Sequence, residues 1–275
     1  MTLSTPRFTT VDLLRVMERL RDPESGCPWD VAQTFETIVP STLEECYELA
    51  AAIENRDYQH VAEELGDVLF QVVFYAQLGS EEQLFSFDDV VHTLVEKLLR
   101  RHPHVFNNGD IEGVVSQSSS VEQVAHSWEA IKQDERNAKQ LTGLLEDVPR
   151  ALPALPRAQK LQKRAAAVGF DWDSPSQVFD KLQEELSELS AAVSAGSVDS
   201  IEDEMGDVLF TCVNLARHLK IDAETSLRRS SSKFESRFRA MESMADEREM
   251  TLHSMNAISL EDLWMEVKQR FEARD

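Results

Sequence analysis

Five acidic residues in the second half of the chain have the spacing of a cation site. Glu184, Glu185 and Glu188 are followed, after fifteen intervening residues, by Glu204 and Asp207, and Glu44, Glu45, Glu48, Glu64 and Asp67 repeat the arrangement 140 residues earlier. On helices, Glu185 and Glu188 share one face, as do Glu204 and Asp207 on the next. Four carboxylates can therefore converge, and their like charges repel unless a cation sits among them. An all-oxygen set suits a hard ion, Mg²⁺ or Mn²⁺, better than zinc. One isolated Glu-x-x-Glu pair is ordinarily a solvated face. Two copies, each beside Leu, Val and Phe on short helices, favour a metal site. A di-iron carboxylate bundle needs Glu-x-x-His on its helices, and neither cluster contains one.

Basic and aromatic residues recur as well. Lys97, Arg101, Trp128 and Lys132 match Lys233, Arg237, Trp264 and Lys268 at a separation of 136. Lys233 and Arg237 lie one turn apart, a spacing that can clamp successive phosphates bridged by a metal. Trp264 suits either a core or interface position or a stack on a base. The two copies differ at two informative places. Lys181, one turn before Glu185, corresponds to Ser41, and Asn214, two turns after Asp207, corresponds to Phe74. The first copy thus lacks a cation and an amide beside its acids, and Ser41 has a structural explanation as a capping box with Glu44. These differences predict a catalytic second copy and an impaired or structural first one, although all five acids of the first copy argue for activity there.

The elements that position these residues read as helices. Alternating β-branched runs are missing, whereas apolar residues fall at three and four spacing: Leu65, Leu69, Val72 and Ala76, then Met205, Leu209, Cys212 and Ala216. The expected fold is all-α, two tandem copies of a four-helix unit, spanning 1–140 and 147–275. A basic amphipathic segment precedes Cys-Pro-Trp-Asp (27–30) in one copy and Phe-Asp-Trp-Asp (170–173) in the other. The Gly-, Asn- and Ser-rich stretch Asn107–Ser120 reads as a loop inside the first unit, and Pro149, Pro153 and Pro156 punctuate entry to the second.

Composition narrows the function. With 28 Lys plus Arg against 50 Asp plus Glu, the formal charge is −22. Such a chain repels nucleic acid and anionic membranes, yet accepts a small anion where a metal and a few cations reverse the local sign. The longest apolar segment is too short to span a bilayer. Cys27, Cys46 and Cys212 read as reduced, mostly buried thiols, and the cytoplasm is the expected compartment.

Taken together, the motifs resemble the MazG-type nucleoside triphosphate pyrophosphohydrolases in their two-domain form. The carriers are Cys-Pro-Trp-Asp at 27–30, Leu-Glu-Glu-Cys-Tyr-Glu at 43–48, Glu-Glu-Leu-Gly-Asp at 63–67, Arg-Arg-His-Pro-His-Val-Phe at 100–106, Val-Gly-Phe-Asp-Trp-Asp at 168–173 and Lys-Phe-Glu-x-Arg-Phe at 233–238. The resemblance implies a helical bundle that forms a homodimer and hydrolyses nucleoside triphosphates to monophosphate and pyrophosphate with Mg²⁺. Carried over by motif, Glu185, Glu188, Glu204 and Asp207 hold the metal, while Lys181, Glu184, Lys233, Arg237 and Trp264 surround the nucleotide. Glu184 is the candidate for orienting the attacking water, and Lys233 for meeting charge on the leaving group. A helical scaffold that binds nucleotide or a partner without turnover is the rival reading, and the base preference is not legible.

Overall fold

The computed structural model describes residues 7–113, 120, 123–124, 127–128, 131, 135 and 143–272. Lys132, positions 114–119 of the expected loop and positions 140–142 of the expected boundary lie outside them. Every element among the described residues is a helix, as the three-and-four spacing of apolar residues dictates. Backbone contacts divide the chain between residues 133 and 134 into two units.

The first unit contains α1 (Thr10–Leu20), the single turn α2 (Pro28–Val31), α3 (Phe35–Glu54), α4 (Tyr58–Glu81) and α5 (Phe87–Arg101). Reciprocal caps fix three of the starts: Thr9 with Asp12, Thr34 with Thr37, and Ser86 with Asp89. The Thr34 cap corrects the capping role expected of Ser41. With α3 already begun at Phe35, Ser41 lies inside the helix, where backbone N–H groups are bonded within the helix itself.

Helices α3 and α4 form an antiparallel hairpin, and α1 packs on α4. Met17, Ile38, Val73, Phe74 and Leu78 bury the centre, flanked by Leu13, Leu14, Phe35, Phe70, Tyr75 and Phe87. Phe74 is wholly enclosed, at 0% exposure. The Arg21 guanidinium stands 5.2 Å from the centre of its ring. That buried cation is fully engaged: Nε and Nη2 donate to Glu81 at 2.9 and 2.7 Å, and Nη1 donates to the carbonyls of Asp30 and Gln33. One arginine thereby joins α1, the turn around α2, and α4.

Among its residues from 143 to 272 the second unit has five α-helices, one more than expected: α6 (Ala154–Ala166), α7 (Pro175–Ala195), α8 (Val198–His218), α9 (Ala223–Glu247) and α10 (Ala257–Glu272). The extra helix arises because the 3₁₀ turn Leu252–Ser254 and the cap Asn256, which accepts from Ser259 N, break the C-terminal segment in two. Helix α7 ends at Gly196, whose φ of +73° lies in the left-handed region that glycine adopts without strain, and Ser197 caps α8 immediately afterwards. This tight corner lays α7 antiparallel along α8, and α6 packs on α8. Helices α9 and α10 enclose their own apolar cluster of Met241, Met244, Ala245, Leu263 and Val267.

The cysteine expectation is also corrected. Cys46 and Cys212 are exposed and Cys27 is half-buried. Cys212 belongs to the stripe with Met205 and Leu209, and that stripe faces outward; Leu65, Leu69 and Val72 do the same on α4. The hairpins bury the opposite sides of these helices, at Val73 and Val213.

Removing the Phe74 ring leaves a void that the surrounding helices cannot fill. Phe74→Ala is expected to destabilise the first unit by about 3–5 kcal/mol, read as a lower denaturant midpoint. A loss below about 1 kcal/mol would place the ring outside the core.

Candidate functional site

The α7–α8 hairpin brings together acids that lie far apart in sequence. Glu185 and Glu188 on α7 and Glu204 on α8 each contribute an oxygen to a group whose members all lie within 4.8 Å of one another. Glu185 is buried, Glu204 half-buried and Glu188 exposed. Removal from water and the neighbouring charges of Glu185 and Glu204 push the Glu188 carboxyl above its usual range. Lys181, one turn before Glu185, bonds Glu184 at 2.7 Å and Glu185 at 2.9 Å. Those bonds, the Glu184 one first, hold its ammonium charged well beyond the usual lysine range.

A cavity of about 560 Å³ opens beside this group, and Lys181, Glu185, Asp207 and Asn214 line it. Its remaining wall is largely apolar, with Leu161, Ala165, Phe170, Trp172 and Phe210. Charged and amide side chains together with planar apolar ones match a ligand that carries both a charged group and a flat body. Glu184 lies outside the lining, exposed and paired with Lys181.

Three other expected residues stand apart from this cavity. Lys233 on α9 lies with Ser226, Arg229 and Ser230 at another surface depression. Arg237, one turn further, has a buried Nε without a hydrogen-bond partner. Trp264 on α10 packs on the cluster around Met241 and stands 5.4 Å from Phe234, which favours the core role among the two open to it.

Sequence spacing missed a polar clamp at the rim. Asp171 accepts from both terminal nitrogens of Arg217 and lies 3.0 Å from His218 Nε2. Burial alone would raise the Asp171 carboxyl, but the Arg217 and His218 bonds outweigh it and hold the group below its usual range. Asp171 falls inside the Phe-Asp-Trp-Asp motif, yet nothing in the motif points to Arg217, 46 residues away. Comparison of the two copies supplies the missing signal: at the 140-residue separation, Arg217 corresponds to Gln77.

The first unit repeats the acidic group and not the cavity wall. Glu45, Glu48 and Glu64 also bring one oxygen each within 4.8 Å of the others. Burial, then the charges of Asp67, Glu48, Glu64 and Glu44, push Glu45 above its usual range. His60 Nε2 lies 2.5 Å from Glu64 Oε1, while Glu64 Oε2 is buried with no partner. An orphaned carboxylate oxygen among other carboxylates suits a divalent cation. In both units the donor set is oxygen alone, so the residues present fit a hard metal ion.

With that geometry in view, comparison with known proteins is informative. The MazG nucleotide pyrophosphohydrolase domain is matched twice, over residues 33–106 and 173–241. A protein of Escherichia coli (strain K12) named nucleoside triphosphate pyrophosphohydrolase is 48% identical over 260 residues, which cover 94% of this chain and 96% of that protein. One of Thermotoga maritima, named nucleoside triphosphate pyrophosphohydrolase/pyrophosphatase MazG, is 43% identical over 257 residues, 94% of each chain. The uncharacterized protein YabN of Bacillus subtilis (strain 168) is 42% identical over 255 residues, 92% of this chain and 50% of that protein.

Raised carboxyl groups take up protons earlier than free glutamates as pH falls. Glu188 and Glu45 are fully deprotonated only above their raised ranges, and below these a proton competes with the cation. Calorimetric titration with Mn²⁺ is therefore expected to show affinity falling with pH before the ordinary glutamate range, about pH 4.3, is reached. A flat profile down to that range would detach these groups from cation binding.

Proposed function

Because the chain belongs to the MazG nucleotide pyrophosphohydrolase family, we propose that the cavity of the second unit is where it hydrolyses nucleoside triphosphates to monophosphate and pyrophosphate. The observation that carries the site is the 560 Å³ cavity lined by Lys181, Glu185, Asp207 and Asn214 beside the three-glutamate group. In this reading Glu185, Glu188, Glu204 and Asp207 hold Mg²⁺, for which Mn²⁺ can substitute. When bound, the ion neutralises the phosphate chain and polarises water.

The protein's own groups supply the rest. Cleavage of the α–β anhydride consumes one water, whose oxygen becomes bonded to phosphorus as the anhydride oxygen leaves. Glu184, exposed at the edge of the cluster and paired with Lys181, orients that water and accepts one of its protons. Lys181 lies within the cavity lining and meets the charge that develops on pyrophosphate. Lys233 and Arg237 enter the reading through their one-turn spacing and the family pattern, as phosphate contacts. The apolar wall accommodates a broad range of bases, consistent with a role in clearing unwanted triphosphates from the cytoplasmic pool. None of the described helices is long and apolar enough to cross a membrane.

The same reading assigns turnover to the second unit and a structural role to the first. Where Asn214 lines the cavity, the first unit has the enclosed Phe74 ring, and where Lys181 pairs with Glu185 it has Ser41. We also propose a homodimer. Leu43, Tyr47, Leu65 and Leu69 in one unit, and Leu186, Val193, Met205 and Leu209 in the other, are exposed apolar side chains on hairpin helices, the surface that a second copy would cover.

Product analysis with several NTPs and dNTPs, with Mg²⁺ and then with EDTA, tests the function. Monophosphate and pyrophosphate are expected, and both vanish with EDTA. Metal-dependent binding without any product would favour a non-catalytic scaffold. Glu185→Ala is expected to lower kcat at least a hundredfold, about 2.7 kcal/mol, and Glu45→Ala far less. Equal losses would overturn the division of labour. Sedimentation at the mass of one chain, 31.2 kDa, would overturn the dimer.

A further inference from the structure

Asn214 is a residue whose amide orientation is decided by its neighbour. Arg217 donates to Asn214 Oδ1 from Nε at 3.1 Å and from Nη2 at 2.7 Å. A guanidinium only donates, so the amide oxygen faces it and the amide cannot flip. Arg217 is itself held by the two carboxylate oxygens of Asp171, with His218 Nε2 3.0 Å from the same acid. Asp171 is presented by the turn at Gly169, whose φ is +84°. The Asn214 Nδ2 group, which donates to no described residue, is left for the cavity that Asn214 lines together with Phe170 and Trp172.

Position along α8 says which part of a ligand that donor meets. Asn214 is seven residues beyond Asp207, roughly 10 Å along the axis, on the side away from Glu204. If the phosphates lie at the acids, as the proposed function has it, the level of Asn214 belongs to the nucleoside. The adjoining Phe170 and Trp172 offer flat apolar faces to a base.

We propose that Asn214, locked by the Arg217–Asp171 clamp, reads the nucleobase by donating Nδ2–H to a carbonyl oxygen, so that keto bases are turned over in preference to their amino counterparts within a broad range. Asn214 touches the substrate; Arg217 and Asp171 are positioning residues. The inference rests on the hydrolase reading above. An amide held as a donor pairs with O6 of hypoxanthine or O4 of uracil and opposes the amino groups at the same places in adenine and cytosine. One hydrogen bond gained against a donor–donor clash corresponds to about tenfold in kcat/KM.

The test is kcat/KM for ITP against ATP and for UTP against CTP, in the wild type, Asn214→Asp and Arg217→Met. The wild type is expected to favour ITP and UTP about tenfold. Asn214→Asp keeps the pairing with Arg217 but offers only acceptors, so the preference inverts, chiefly through KM. Arg217→Met frees the amide to flip, and the ratio falls toward one. A purely structural role would lower all four substrates together and leave the ratios unchanged, which overturns the proposal. A wild-type ratio near one also overturns it, whether or not the variants fold. Turnover of none of the four would instead bring down the hydrolase reading itself.

Discussion

Like charges held close together shape this molecule more than any other interaction. Three glutamate oxygens within 4.8 Å of one another repel, and the hairpin keeps them there because each helix is anchored on its other face by apolar packing. Val178 and Val213 are buried on α7 and α8 as Ile38 and Val73 are on α3 and α4. The strain shows in the raised carboxyl groups of Glu188 and Glu45. A site built in this way stores an electrostatic demand that a divalent cation relieves, and the corner at Gly196 sets the register on which that demand depends.

Much of this was legible beforehand. The acids could be placed on two adjacent helices because helical periodicity and internal repetition leave little freedom; the structure gathers Glu185, Glu188 and Glu204, while the fourth expected member, Asp207, stands outside that group in the cavity lining. What the sequence concealed depends on contacts between distant residues. Arg217 pairs with Asp171 across 46 positions, and no local pattern encodes that. The outward turn of the Met205, Leu209 and Cys212 stripe was hidden too, because periodicity identifies an apolar face without saying what covers it. Lys233 and Arg237 share a turn as their spacing implies, yet spacing could not tell that they lie outside the cavity lining in the chain.

The two copies show how little change separates one outcome from another. The hairpin and its acids are retained in both, while four positions around them differ: Pro28 for Asp171, Ser41 for Lys181, Phe74 for Asn214 and Gln77 for Arg217. Each exchange in the first unit removes a charge or an amide, and Phe74 adds a ring that closes the space. Arg21, stacked over that ring and bound to Glu81, replaces a polar rim with a sealed one.

The enclosed Phe74 has one more implication. Where the first copy completes its interior with a side chain of its own, the second leaves space for something to be supplied from outside. By comparison the second copy forgoes, at its cavity, the dispersion contacts that the Phe74 ring makes in the first. A molecule that enters restores them, and mass action then turns its concentration into folding stability. The duplicated architecture thus joins in a single chain one helical unit closed by its own side chain and one whose stability would rise with any ligand that fills its cavity.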